Sequence, residues 1–304
     1  MGVFMAIFSA FGFALQNILI RRGLLGKQKG TVNTILLLVL LSSQLSIIAI
    51  VLVSGLIHGS IIEEFFYLTW HAVLFLILEG VMGPLIGMFL ITTAISQIGA
   101  SRTSALRSSN PFFAAIFAIL FLGESLTALN LMSVFILIAG VVLVSYRTQE
   151  EAISLLPKTR VAGALVALLA GLFFALSQIF RGLALDYGAT PNTGTLIGGF
   201  VALLVLTVIC RKEVGSFKFF FNIDRENIYY YLAAGLGTTI GRYALLVAFL
   251  YSPVWLAVSL RNSQPIIALV LSWLFLRDTE AINARVAAGT MLVVIAVILL
   301  ITLK

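Results

Sequence analysis

The chain is short of the residue types from which soluble catalytic and metal sites are built. It has one cysteine, Cys210, which excludes an intramolecular disulfide and any cysteine-built metal site. Its two histidines, His58 and His71, stand alone near the ends of apolar runs, and no grouping of His, Cys and carboxylate has metal-ligand spacing. A Gly-rich phosphate loop and a nucleophile triad are likewise missing. Charge is scarce: Asp, Glu, Lys and Arg make up 10% of the residues, where a soluble protein carries roughly a quarter. No hydrophilic stretch is long enough to hold a soluble domain. These absences argue against an enzyme and leave no catalytic residue, metal or organic cofactor to assign.

What is present is apolar: 61% of the 304 residues are hydrophobic, the composition of an integral membrane protein. The formal charge of +7 invites a nucleic-acid reading, but the basic residues sit in short connections. That pattern reflects membrane orientation, and no nucleic-acid partner is expected. The first apolar run, Gly2 to Ile20, ends in Arg21-Arg22 without a small-residue cleavage site, so it is read as a spanning helix and not a signal peptide. A helix needs about 20 apolar residues to cross the hydrocarbon. Ten such spans are expected, at about 2–21, 32–57, 68–95, 100–121, 127–146, 160–181, 192–210, 228–251, 254–276 and 281–303.

Two hexapeptides, Leu106-Arg107-Ser108-Ser109-Asn110-Pro111 and Leu260-Arg261-Asn262-Ser263-Gln264-Pro265, lie 154 residues apart inside these runs. The same offset superposes Gly83 on Gly237, Gly87 on Gly241 and Phe121-Leu122 on Phe275-Leu276. A looser echo links Phe13-Ala14-Leu15-Gln16-Asn17 with Phe174-Ala175-Leu176-Ser177-Gln178. The chain is thus read as two copies, 1–147 and 159–304, joined at the hydrophilic seam from Arg147 to Arg160. Five helices per copy, an odd number, make the second enter the membrane upside down. The expected fold is an all-α membrane protein of ten transmembrane helices in two inverted five-helix repeats. Such repeats characterise secondary transporters, with the substrate site near the midplane. Loop charge places the odd-numbered connections in the cytoplasm and both termini outside, because the opposite side holds only Arg181 and Lys304.

The run Asn110-Pro111 through Phe121-Leu122-Gly123-Glu124-Ser125-Leu126-Thr127 resembles the end of an EamA-like domain, and Pro265 through Phe275-Leu276-Arg277-Asp278-Thr279-Glu280 is similar to a degraded copy of it. Two such units in tandem resemble the drug/metabolite transporter superfamily over nearly the whole chain. The resemblance implies alternating-access transport of small organic solutes, by exchange or proton coupling. Its substrates range from amino acids to nucleotide sugars and phosphate esters. It also implies cytoplasmic termini and a basic second loop. Here that loop, His58 to Tyr67, carries Glu63 and Glu64 and no Lys or Arg, so the resemblance and the charge count disagree. The paired arginines four residues before proline are a second departure.

Those arginines are the first candidates for chemistry. A charge at membrane depth is costly and marks a functional hypothesis. Proline removes the hydrogen bond that would end on the carbonyl four residues earlier, which belongs here to Arg107 and Arg261. Asn110 and Gln264 share that helix face, and Asn262 is adjacent to Arg261. A planar guanidinium suits carboxylate or phosphate, so Arg107, Arg261, Asn110, Asn262 and Gln264 are expected to bind substrate. The competing reading has each arginine snorkel to an interface or pair internally. Glu79 and Arg242 lie mid-span and are not duplicated, their repeat partners being Ala233 and Met88. Glu79 is read either as a proton-coupling carboxylate or as half of an ion pair, and Arg242 as a second-choice substrate-binding residue that balances charge. Gly83-x-x-x-Gly87 and Gly237-x-x-x-Gly241 are read as helix contacts. Gln16, Asn17, Ser177 and Gln178 at mid-depth bridge helices or line a polar cavity. Tyr243 and Trp255 stack on substrate or belong to interfacial belts.

The expected function is therefore movement of a small anionic or zwitterionic organic metabolite, a carboxylate or phosphate ester, across the cell (inner) membrane. The alternatives are an exporter of neutral or cationic metabolites or a lipid translocase with structural arginines, or a non-transporting membrane partner protein. The expected partners are the solute and the lipid bilayer.

Overall fold

The computed structural model describes the chain except residues 24–30, 59–60, 99–105, 107–108, 146–156, 215–222, 265, 268–269, 272–283 and 303–304. Among the described residues every regular element is helical. In chain order these are α1 (Gly2–Gly23), α2 (Val32–His58), α3 (Ile61–Phe66), α4 (Trp70–Gly80), a π-helical turn (Val81–Gly87), α5 (Met88–Ile98), α6 (Asn110–Leu122), α7 (Ala128–Ser145), α8 (Pro157–Asp186), α9 (Pro191–Val214), α10 (Arg225–Tyr251), α11 (Val254–Arg261) and α12 (Ala284–Thr302). Among the described residues six segments are long and apolar enough to cross a membrane, and α6, α7 and α12 carry shorter apolar stretches.

The helices are apolar on all sides, as expected where both core and surroundings are apolar. Large side chains such as Phe4, Leu52, Met291 and Ile298 point outward with more than half of their area exposed, a surface that water would penalise and lipid would not. Between helices, small residues replace the large ones. α10 packs along α1, α12 along α7, and α8 lies against α4, the π-turn, α5 and α6. A Cβ added at Gly12 would come within 2.8 Å of the Gly237 carbonyl oxygen, and one at Gly237 within 2.8 Å of the Gly12 oxygen. In the first copy, Gly83 faces Ser177, and a Cβ on Gly87 would sit 2.9 Å from the Phe174 ring. Each Gly-x-x-x-Gly stripe therefore seats a helix from the other half of the chain.

Three expectations need correction. The 68–95 span is not one α-helix: Pro84 has no N–H to give, and the backbone re-registers around it as a π-turn. Pro111 does not sit inside a continuing helix either, while Arg107 and Pro265 lie outside the described residues. α6 begins at Asn110 with Pro111 in its first turn, where a missing N–H costs little. α11 ends at Arg261, and Asn262 and Ser263 form a turn. The two breaks match: the Ser109 hydroxyl donates to Leu106 O at 2.7 Å, and the Ser263 hydroxyl donates to Leu260 O at 2.7 Å. Each serine N–H adds a second bond to the same carbonyl, at 3.2 and 3.1 Å. Finally, Arg181 is no loop residue. α8 runs on to Asp186, which carries Arg181 into the interior with 5% of its surface exposed.

Candidate functional site

Glu79, the penultimate residue of α4, is fully buried and lies just before the π-turn. Two guanidiniums meet it. Arg181 of α8 donates from Nη2 to Glu79 Oε1. Arg242 of α10 donates from Nη2 to both carboxylate oxygens, at 3.3 and 3.2 Å. Arg242 has 3% of its surface exposed. Glycine makes the room. A Cβ on Gly198 would overlap the Glu79 carboxylate, and one on Gly199 would lie 2.6 Å from Arg242 Nη1 and 2.7 Å from Gln44 Oε1. Gln44 is held by its own donation from Nε2 to Leu196 O at 2.8 Å, and the Ser177 hydroxyl donates to the Glu79 carbonyl at 3.2 Å.

The cluster has two positive charges and one negative, a surplus of +1 in a region closed to water. It is also short of acceptors. Arg181 Nε, Arg242 Nε and Arg242 Nη1 have no hydrogen-bond partner among the described residues. Buried donors are normally satisfied, so this arrangement has capacity for a further anionic or acceptor group.

A second polar group lies at the helix breaks. Arg261, the last residue of α11, has 5% of its surface exposed, and its guanidinium carbon stands 4.5 Å from the centroid of the Phe13 ring. That distance is within the range of a cation–π contact. Asn110 opens α6, donating from Nδ2 to Gly171 O at 3.0 Å. Gln178 donates from Nε2 to Asn110 Oδ1 at 3.3 Å and to Phe174 O at 2.9 Å. Gln178 Oε1 and Asn262 Nδ2 have no partner among the described residues.

The expected site residues therefore fall into two sets. Glu79 meets Arg242, and Asn110 meets Gln178. Arg261 stands over the Phe13 ring. Arg107 lies outside the described residues. Gln16 is buried with its backbone against Gly237, while Asn262, Gln264 and Tyr243 are half-buried. Trp255 is no belt residue: it is buried in the largest apolar cluster among the described residues. His71 lies between the rings of Trp70 and Tyr187, with centroids 3.7 and 5.1 Å away. Sequence reasoning missed Arg181, Gln44, Phe13 and the Gly198-Gly199 step. The available signal was a lone arginine in an apolar run facing a Gly-Gly pair elsewhere.

The Leu-Gly-Glu run has a structural role as well. Gly123 ends α6 at φ 65°, a left-handed cap, and turns Glu124 toward the other half of the chain. Glu124 Oε1 accepts from the Val254 N–H at 2.7 Å, and Oε2 accepts from the Trp255 N–H at 3.3 Å, at the start of α11.

Comparison with known proteins agrees with this architecture. A solved crystal structure superposes over 97% of this chain and 96% of its own, with a TM-score of 0.72 at 16% identity, a likeness of fold. No curated protein matches the sequence significantly. The EamA-like transporter family matches twice in tandem, over residues 1–146 and 161–302. A multi-pass helical chain with this double match belongs to the EamA-like transporter family, within the drug/metabolite transporters.

Proposed function

We propose that the protein is a secondary transporter that moves a small organic anion or zwitterion, a carboxylate or phosphate ester, by alternating access. The observation that carries this reading is the surplus positive charge of the buried cluster, where Arg181 and Arg242 share one carboxylate. A buried cation without a matching anion is costly, and a bound anionic solute would supply the counter-charge. In this reading Arg261, with Asn262, Gln264, Asn110 and Gln178 as hydrogen-bonding neighbours, takes the charged group of the solute. Arg107 takes the same part from the first copy, Tyr243 and Gln16 line the path, and Arg242 holds a second position. The ten helices act as two inverted five-helix units, with exchange or proton coupling as the driving mode and the inner cell membrane as the location.

A second reading is favoured by one specific observation. Glu79 is already engaged by two guanidiniums, which suits a structural ion cluster in an exporter of neutral or cationic metabolites. The experiment that separates them is a thermal-stability screen of the purified protein against carboxylates, phosphate esters and amino acids, followed by uptake of the best hit in proteoliposomes. Arg261→Ala and Arg107→Ala are expected to abolish both stabilisation and uptake of an anionic hit. Anion transport at the parental rate in both variants would sink the anion-site reading.

A further inference from the structure

We propose that Glu124 is a proton-operated latch: protonated, it lies closed against the start of α11, and ionised, it draws water into its cleft and frees that end of the helix. The proposal rests on the chain being a transporter and not on the charge of its solute.

Four observations carry it. First, Glu124 is anchored on one half of the chain and bonded to the other. The N–H groups of Gly123 and Glu124 both bond to Ala118 O, which fixes the side chain's direction. Its oxygens accept the N–H groups of Val254 and Trp255, among the N–H groups that a helix start leaves without intrahelical partners. Second, Glu124 borders a cleft of about 150 Å³ whose wall includes Gly182, Leu185, Asp186, Phe249 and Val254. Asp186, from the end of α8, is the one other ionisable side chain there among the described residues. The ends of α10 and α11 bring only Phe249 and Val254 to the cleft.

Third, the forces on the carboxylate oppose one another. The bonds from Val254 and Trp255 favour the charged form, while burial and the negative charge of Asp186 disfavour it. Burial is the largest effect, so the carboxyl is held above its ordinary value. A state that exposes Glu124 to water loses that penalty, so ionisation favours opening and a proton favours closure. Fourth, α11 is only eight residues long and has Arg261 at its far end. At 1.5 Å per residue the latch and that arginine are about 10 Å apart on one rigid element. Release of the first turn therefore moves the helix that carries the candidate binding arginine. Glu79, the other buried acid considered for coupling, has both oxygens taken by guanidiniums.

Trp255 reports on the latch directly, since its own N–H is one of the two bonds. The chain has three tryptophans, Trp70, Trp255 and Trp273, so Trp70→Phe with Trp273→Phe leaves Trp255 as the single emitter. In micelles of the full chain, between about pH 4 and pH 8, Trp255 emission is expected to shift to the red and acrylamide quenching to rise about twofold. The midpoint should fall above the ordinary carboxylate value. Glu124→Gln is expected to remove the transition and stay in the closed, blue-emitting form. Asp186→Asn keeps the latch, removes the repulsion and is expected to lower the midpoint; it decides the matter if Glu124→Gln does not fold. A red shift that persists in Glu124→Gln, a blue shift with rising pH, or a midpoint unmoved in Asp186→Asn would overturn the proposal. No solute is needed, so failure here leaves the anion reading standing. Conversely, an intact Trp255 transition with no anion binding would overturn that reading alone.

Discussion

Replacing Glu79 by glutamine tests the charge arithmetic of the buried cluster. Removing one partner of a buried ion pair costs about 3–5 kcal/mol, because the other charge is left uncompensated. Glu79 serves two guanidiniums at once, so Glu79→Gln should reach the upper end of that range. Arg181→Met is a different perturbation: it leaves Glu79 and Arg242 as a neutral pair with both oxygens still bonded. Its cost is one charged hydrogen bond, about 1.5–3 kcal/mol, less whatever is regained by removing the like charge of Arg181 from beside Arg242. For a chain this large a kcal/mol corresponds to roughly 2–4 °C in Tm. Glu79→Gln should therefore lower Tm by on the order of 10 °C, and Arg181→Met by about half of that or less. The double variant is the sharper test. With Glu79 already gone, Arg181→Met removes one of two stranded charges, so the double variant should melt above Glu79→Gln alone, a coupling of opposite sign to simple addition. The assay is thermal unfolding of detergent-purified protein followed by tryptophan fluorescence. A double variant less stable than Glu79→Gln would refute the claim that the cluster carries surplus positive charge.

Other outcomes follow from the geometry. Gly198→Ala puts a Cβ into the Glu79 carboxylate, and an overpacked core costs about 1–3 kcal/mol; a Tm loss of several degrees is expected, and parental Tm would show that the carboxylate can move aside. Gly237→Leu meets the Gly12 carbonyl and the Gln16 backbone within 3 Å, so α1 and α10 must separate, lowering both Tm and folded yield on size-exclusion chromatography. Gly123→Val has open space around it but a left-handed φ of 65°, so the cost is backbone strain of about 1–2 kcal/mol; Gly123→Asn should recover most of it, and equal Tm for the two variants would contradict the backbone account. Burial raises Glu124 from 4.5, so the folded chain binds this proton more tightly than the unfolded one. The resulting stability is fully present below that value and is lost as pH climbs through the raised one. A plot of Tm against pH should lose this slope in Glu124→Gln.

The six membrane-length spans among the described residues, and the shorter apolar helix α7, were legible because hydropathy and length are one-dimensional properties. α2 was expected at 32–57 and is found at Val32–His58, and α7 was expected at 127–146 and is found at Ala128–Ser145. Pairwise facts were harder. Glu79 and Arg242 could be named as mid-span charges, but which side chain faces which depends on helix rotation, and that is set by glycine contacts between distant segments. Arg181 was misplaced for a definite reason. A span expected to end near residue 181 turned an interior arginine into a loop charge, whereas α8 continues for five more residues to Asp186. The prolines misled in the opposite way. The residue pattern alone did not separate a proline that kinks a helix from one that starts a helix; at Pro111 the helix starts, and Ser109, two positions earlier, closes on its own i−3 carbonyl.

The two polar centres differ in how the sequence repeat treats them. The break motif is duplicated: Leu106 and Leu260, Ser109 and Ser263, Pro111 and Pro265 recur at one offset, and both serines make the same 2.7 Å bond. The ion cluster is duplicated nowhere. Glu79 faces Ala233 across the repeat, Arg242 faces Met88, and Arg181, by the offset that aligns Phe174 with Phe13, faces Ile20. A feature needed for both copies to move against each other must be present in each, and the breaks and glycine stripes meet that requirement. A feature that selects one solute need be present once. On this argument the unduplicated cluster of Glu79, Arg181 and Arg242 joins the proposed solute contacts of Arg107 and Arg261 in selecting the solute, while the duplicated serine breaks serve the movement proposed above. Exchanging the residues at 79, 181 and 242 should then change which solute stabilises the protein more than it changes the turnover of a solute still accepted. Changing Ser109 and Ser263 to alanine together should do the reverse, and proteoliposome uptake resolved into KM and maximal rate would tell the two apart.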